Sequence, residues 1–212
     1  MKVTLLGVGG SAGSPQIGGP GGFGEWGQLD PREPRNRRSR ASIVIETPEH
    51  KRLLVDTGPD LRLQLTDCKI PKIDAVFYTH AHADHIAGMD DIRILNRLLE
   101  GPMPAYASED TWVELRRRFD YAFRPYDGGF FTRPVLEETV LEPGQAVDIL
   151  GMKVTVSDPY AQVDDRRFVK LPMDELMAGA DYVICLAIAN EETENDGDDP
   201  DERIIEPYEL RQ

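Results

Sequence analysis

Cysteine is scarce. Cys68 and Cys185 are the only two in 212 residues, and they lie far apart and form no metal-type pair. This argues against a disulfide framework and for two reduced thiols in a reducing compartment. Long apolar runs are missing as well. No stretch approaches the about 18 consecutive apolar residues that a membrane span requires. Glycines interrupt the apolar opening from Met1 to Ala12, where Lys2 and the amino terminus are the only early positive charges. That segment reads as neither a secretory signal nor an anchor, and the expected location is cytoplasmic. Positive charge is in deficit: 24 Lys and Arg stand against 38 Asp and Glu, a formal net charge of −14. A field of that sign repels phosphate backbones, so nucleic acid is not expected as a partner, nor, without a span, is a membrane.

What is present is ordinary for a globular chain, with 40% hydrophobic and 29% charged residues and enough length for one substantial domain. The run Glu191–Glu202 (EETENDGDDPDE) carries much of the acidity and has the composition of a solvated loop or tail. The expected organisation is therefore a domain over residues 1–189 followed by an acidic tail over residues 190–212.

Lys2 to Leu6 reads as a short strand. Gly9 to Gly27, rich in glycine with Pro15 and Pro20, reads as a loop. Strand-like runs follow at Ala41–Glu46, Arg52–Asp56 and Asp74–Thr79, with a short helix over Pro59–Thr66 between the last two. Helical spacing over Ile86–Glu100 puts Ile86, Met89, Ile92 or Ile94, Leu95, Leu98 and Leu99 on one side, and Gly101-Pro102 stops it. Ala105–Ala107 reads as a brief strand and Glu109–Phe123 as a second amphipathic helix. Val135–Val140, Ala146–Val156 and Tyr182–Ala189 read as strands, and Met173–Ala178 as helical. Strands alternating with helices predict α/β layers.

Histidine is rare too, but it is concentrated. Three of the four histidines fall within six residues, in Thr79-His80-Ala81-His82-Ala83-Asp84-His85. A chain leaving a strand stays extended for a few residues, so His80 and His82 face the same side and can grip one cation. Asp84 and His85 sit where the chain turns into a helix and can address a second, adjacent position. Imidazole with carboxylate suits zinc, and also manganese or iron. The intervening alanines leave room for an open coordination position, which a catalytic metal needs to make water a nucleophile near neutral pH. The fourth histidine, His50, lies in a Pro-Glu-His-Lys turn and reads as solvated.

The THAHADH segment with Ile86-Ala87-Gly88-Met89-Asp90-Asp91-Ile92-Arg93 resembles the metallo-β-lactamase superfamily. Within it, the segment is most similar to the branch of small hydrolases typified by the cyclic-phosphate phosphodiesterase of the carbon–phosphorus lyase pathway. Gly7–Pro15, Trp26-Gly27, Asn36-Arg37-Arg38 and Leu53-Leu54-Val55-Asp56-Thr57-Gly58-Pro59-Asp60 agree with that branch, and the resemblance runs from Met1 to about Val156. It implies an αββα sandwich with up to two metal ions at the sheet edge. By motif match His80 and His82 would ligate the first ion, and Asp84 and His85 the second. Asp84 would also act in catalysis, and Asp56 would support the histidines from behind. A metal-bound hydroxide would attack a phosphorus or carbonyl centre, and a small phosphodiester is the expected substrate. No histidine follows His85, so the second half of the sandwich is expected to be incomplete, truncated or divergent. Asp164 or Asp165, ahead of Leu171-Pro172, would be the bridging aspartate. Two rivals stay open: a non-catalytic interaction protein on the same fold, and a nucleolytic relative acting on RNA ends. A sandwich lacking part of its second half would expose apolar surface, so self-association is expected, and light scattering checks it.

Two weaker patterns complete the reading. Gly7-Val8-Gly9-Gly10-Ser11-Ala12 matches G-x-G-x-x-A, a dinucleotide fingerprint that requires a helix to open at its end. Arg35, Arg37, Arg38 and Arg40 form the one basic cluster, able either to hold a substrate phosphate or to pair with the acidic surface. The aromatic residues Phe119, Tyr121, Phe123, Tyr126, Phe130 and Phe131 are expected to serve packing.

Overall fold

The computed structural model describes residues 1–125, 128, 133–142 and 146–155. The chain divides into two units, Met1–Pro172 and Met173–Gln212, and every described residue belongs to the first. The expected elements at Met173–Ala178 and Tyr182–Ala189, the acidic tail, and Asp164 and Asp165 lie outside the described residues.

Among the described residues six strands form one sheet in sequence order: β1 (Lys2–Gly7), β2 (Ser42–Glu46), β3 (Arg52–Val55), β4 (Ala75–Phe77), β5 (Met103–Ala107) and β6 (Leu136–Val140). The first three run antiparallel, and β3 to β6 are parallel neighbours. Parallel neighbours need crossovers, which are supplied by α1 (Leu61–Asp67), then α2 (Ala83–Ile86) with α3 (Ile92–Leu99), and finally α4 (Glu109–Arg118) with α5 (Asp120–Phe123). Alternation along the strands sorts side chains to two faces. Val44, Leu54, Val76, Ala105 and Leu136 meet the helices, where Leu61, Ile86, Ile92, Trp112 and Leu115 complete the main core. On the opposite face Leu53 and Ala75 are buried against Ile149. Ile149 comes from a hairpin of β7 (Ala146–Ile149) and β8 (Met152–Thr155). The mixed α/β architecture agrees with the expected fold class.

Three boundaries differ from the sequence reading. The stretch 146–155 is a hairpin rather than one strand, because Leu150 and Gly151 take φ values of 57° and 85°. Two consecutive residues at positive φ make the tight turn that matches strand twist. Ile86–Glu100 is not one helix either. Gly88 donates its N–H to the Thr57 carbonyl at 2.8 Å instead of to its own helix, and a 3-10 turn at Met89–Asp91 separates α2 from α3. Ile86, Met89 and Ile92 are buried as expected, but Ile94 and Leu98 face outward. The second long helix breaks at Phe119, whose φ of −125° and ψ of 42° are non-helical. Phe119, Tyr121 and Phe123 pack against the main core, and Tyr126, Phe130 and Phe131 lie outside the described residues.

The glycine-rich segment is a loop, with only a 3-10 turn at Pro20–Gly22. No α-helix opens after Gly9-Gly10, so the dinucleotide fingerprint lacks its structural context. The loop is instead pinned to the basic run by bridges at Gly9–Arg40 and Ser14–Arg38.

Candidate metal centre

The site grows from the carboxyl ends of the adjacent parallel strands β3 and β4. Leu53, Leu54 and Val55 pair with Ala75, Val76 and Phe77, and the ladder continues one residue further, where the Asp56 N–H donates to the Phe77 carbonyl at 2.8 Å. Asp56 then takes φ 64°, a left-handed conformation that Asp tolerates better than most residues. The chain thereby turns off the sheet with Asp56, 2% exposed, buried beneath the loop that follows β4. That loop is Thr79 to His82, and His82 is still extended (φ −67°, ψ 150°) where it caps α2. His80 and His82 thus leave the strand in extended chain, while Asp84 and His85 fall within the first turn of α2.

Backbone contacts clamp the two segments together. Thr57 donates to the His85 carbonyl and Gly88 to the Thr57 carbonyl, each at 2.8 Å. Close approach is required at Gly88, where a β-carbon would stand 2.1 Å from the Gly58 carbonyl oxygen. A glycine is needed for this packing.

The four motif residues come together. The His80 ring centroid lies 4.5 Å from that of His82 and 4.1 Å from that of His85, and His85 Nε2 is 3.3 Å from Asp84 Oδ2. His80, Asp84 and His85 are half-buried and His82 is exposed. Beneath them, Asp56 Oδ2 accepts from His85 Nδ1 at 2.6 Å and from the Thr79 hydroxyl at 2.7 Å, and Oδ1 accepts from the Thr79 N–H at 2.8 Å. Among the described residues no three or more His, Cys, Asp or Glu side chains surround one ion position.

Protonation states follow from these surroundings. Burial, with the neighbouring His85, pushes the His80 imidazole down to about 4 against the opposing pull of Asp56. His80 is therefore neutral at pH 7, the form that offers a nitrogen lone pair. Burial would lower His85 too, but its hydrogen bond to Asp56 and the charges of Asp56 and Asp84 outweigh that, and its pKa is raised.

A sequence model described as "Beta-lactamase superfamily domain" matches residues 51–179. The chain belongs to the metallo-β-lactamase superfamily. It is similar to a crystallised diphosphatase of the PhnP family, at 35% identity and a TM-score of 0.59, covering 71% of this chain and 54% of that one. A zinc-bound PqqB from Methylobacterium extorquens shares the fold at 20% identity and a TM-score of 0.54, over 72% of this chain and 50% of that one. A protein of Porphyromonas gingivalis named octanoyltransferase is 32% identical over 156 residues, 73% of this chain and 30% of its own. This superfamily chain thus spans about half the length of the solved relatives and less than a third of the octanoyltransferase.

The basic cluster is mostly spoken for. Arg40 binds Asp60 through its guanidinium and its backbone N–H, both at 3.0 Å, and Arg35 pairs with Glu33 at 2.8 Å. The Arg38 guanidinium donates to the Arg35 carbonyl at 3.3 Å, and Arg37 lies over the Trp26 ring at 4.8 Å. Pairing with local acids and carbonyls accounts for Arg35, Arg38 and Arg40. Sequence reasoning gave Thr79 no role, although its hydroxyl stands between Asp56 and His80, 2.9 Å from His80 Nδ1. Its one signal was its place, immediately before the first histidine at a strand end.

Proposed function

We propose that this chain is a metal-dependent hydrolase of small phosphodiesters, its metal held by His80, His82, Asp84 and His85. The observation that carries the reading is the meeting of three imidazoles over one buried carboxylate at the ends of β3 and β4. The donor set fits a divalent cation, preferentially zinc with manganese or iron as alternatives: neutral imidazole and carboxylate are borderline and hard ligands respectively. Zinc in one relative and 35% identity to a diphosphatase support the metal and the phosphorus-centred chemistry in turn. When bound, such an ion supplies Lewis acidity and positive charge at the phosphoryl group and makes water nucleophilic near pH 7. The chain's own part is to present the donors. Asp56 holds the His85 ring by its Nδ1, Asp84 sets a carboxylate beside Nε2, and the clamp at Gly88 fixes α2 against β3.

The non-catalytic reading is favoured by one observation: among the described residues no group of three or more His, Cys, Asp or Glu is placed to hold one ion. Each lost ligand weakens affinity. Metal analysis with turnover of bis(p-nitrophenyl) phosphate separates the two. Close to two zinc equivalents with turnover, the zinc content lowered and the turnover abolished by combining His80→Ala with His82→Ala, supports the hydrolase. Sub-stoichiometric metal without turnover supports the interaction protein. The free thiol of Cys68 is consistent with a cytoplasmic setting, and the net charge of −14 weighs against an RNA substrate. No helix among the described residues is long and apolar enough to cross a membrane.

A further inference from the structure

We infer that Thr79 is a positioning residue that fixes the tautomer of His80, relaying the acceptor character of Asp56 from one histidine to a second. A threonine hydroxyl carries a single hydrogen and two lone pairs, and a carboxylate only accepts. Asp56 Oδ1 is taken by the Thr79 backbone N–H, at 2.8 Å. Oδ2 faces His85 Nδ1 at 2.6 Å and the Thr79 hydroxyl at 2.7 Å, so both neighbours donate to it. The one hydroxyl hydrogen of Thr79 is then spent on Asp56. His80 Nδ1, 2.9 Å from the same oxygen, can only be the donor, and its proton sits on Nδ1. In the singly protonated ring the lone pair is then left on Nε2.

His85 Nδ1 is likewise a donor, through the direct bond to Asp56. The carboxylate of buried Asp56 thus orients two imidazoles, the first by contact and the second through a hydroxyl. An isolated imidazole has no such obligation, and a wrong tautomer would turn a proton toward any cation at Nε2. This function of Thr79 rests on the metal-binding reading for its purpose, but the tautomer itself does not.

The test separates the two. Ring 15N spectra of the metal-free protein, with the four histidines assigned by single His→Gln variants, report which nitrogen carries the proton. The parent should show Nδ1–H at both His80 and His85. Thr79→Val, nearly isosteric but unable to accept, should release His80 from that tautomer and leave His85 unchanged. Thr79→Ser should restore the parental spectrum. Zinc affinity measured against a chromophoric chelator should fall about 10- to 100-fold in Thr79→Val and recover in Thr79→Ser, the range seen when groups behind a metal-ligating histidine are removed. Nε2–H at His80 in the parent overturns the inference, a measurement that needs no variant to fold. So does an unchanged His80 tautomer in Thr79→Val. Failure of the parent to bind zinc while His80 shows Nδ1–H removes the metal-binding reading and leaves the relay standing.

Discussion

At the scale of single residues, Asp56 carries most of the structural argument. Its carboxylate accepts three hydrogen bonds from Thr79 and His85, in a place where water does not reach. Asp56→Asn keeps the shape but replaces one acceptor oxygen by a nitrogen that donates toward groups which themselves donate. Zinc affinity in that variant should drop by about 10- to 100-fold, read by competition with a chromophoric chelator, and parental affinity would contradict the role given to Asp56. The four motif residues were legible in sequence because a short-range pattern fixed them: i and i+2 on extended chain, then a helix turn. Asp56 was legible only through the family resemblance, because it is 29 positions before His85 and reaches it through the parallel pairing of β3 and β4. Thr79 was marked only by its place before the first histidine, and its role was not legible, since a hydroxyl's partners are set by the fold around it.

At the scale of elements, the order of strands and helices was readable from apolar patterning, while the breaks were not. Each break is a tertiary event. Gly88 leaves its helix because the Thr57 carbonyl competes for its N–H, and no local propensity signals that. Phe119 interrupts an otherwise apolar face with no glycine or proline to mark it. The clamp makes a sharp prediction. Gly88→Ala would place a β-carbon 2.1 Å from the Gly58 carbonyl, so overpacking should cost at least about 1–3 kcal/mol in urea unfolding. An unperturbed midpoint would show that α2 does not depend on this approach. Helix α4 is anchored differently. Ser108 caps its start, Glu109 and Asp110 sit in its first turn, and Arg116, Arg117 and Arg118 fall in its last, which complements the helix dipole at both ends. Trp112, fully buried, packs edge-on to Tyr78 and Phe123 and donates its indole N–H to the Thr139 carbonyl at 3.1 Å. Trp112→Ala should cost about 3–5 kcal/mol through the cavity it leaves. Trp112→Phe retains most of the packing but strands the Thr139 carbonyl, an expected loss of about 1–3 kcal/mol. Equal losses for the two variants, measured by urea unfolding, would mean that the hydrogen bond and not the packing dominates.

At the scale of the whole molecule, the acidic balance and the site act in the same direction. A net charge of −14 raises the local concentration of divalent cations and repels polyanions, so metal uptake should weaken as salt rises. A ligand that binds the folded chain alone stabilises it by mass action. Free zinc at about 100 times its dissociation constant should add about 2.7 kcal/mol, which for a chain of this size raises the melting temperature by roughly 5–10 °C. Scanning calorimetry of metal-free protein, titrated with zinc and then with a chelator, should show that rise and its reversal. The variant carrying both His80→Ala and His82→Ala should show little of it. An equal rise in parent and variant would place zinc somewhere other than the ends of β3 and β4, because stabilisation by binding depends only on where the affinity for the native state resides. A rise in the parent alone would tie metal affinity to the same imidazoles that Asp56 and Thr79 hold in place.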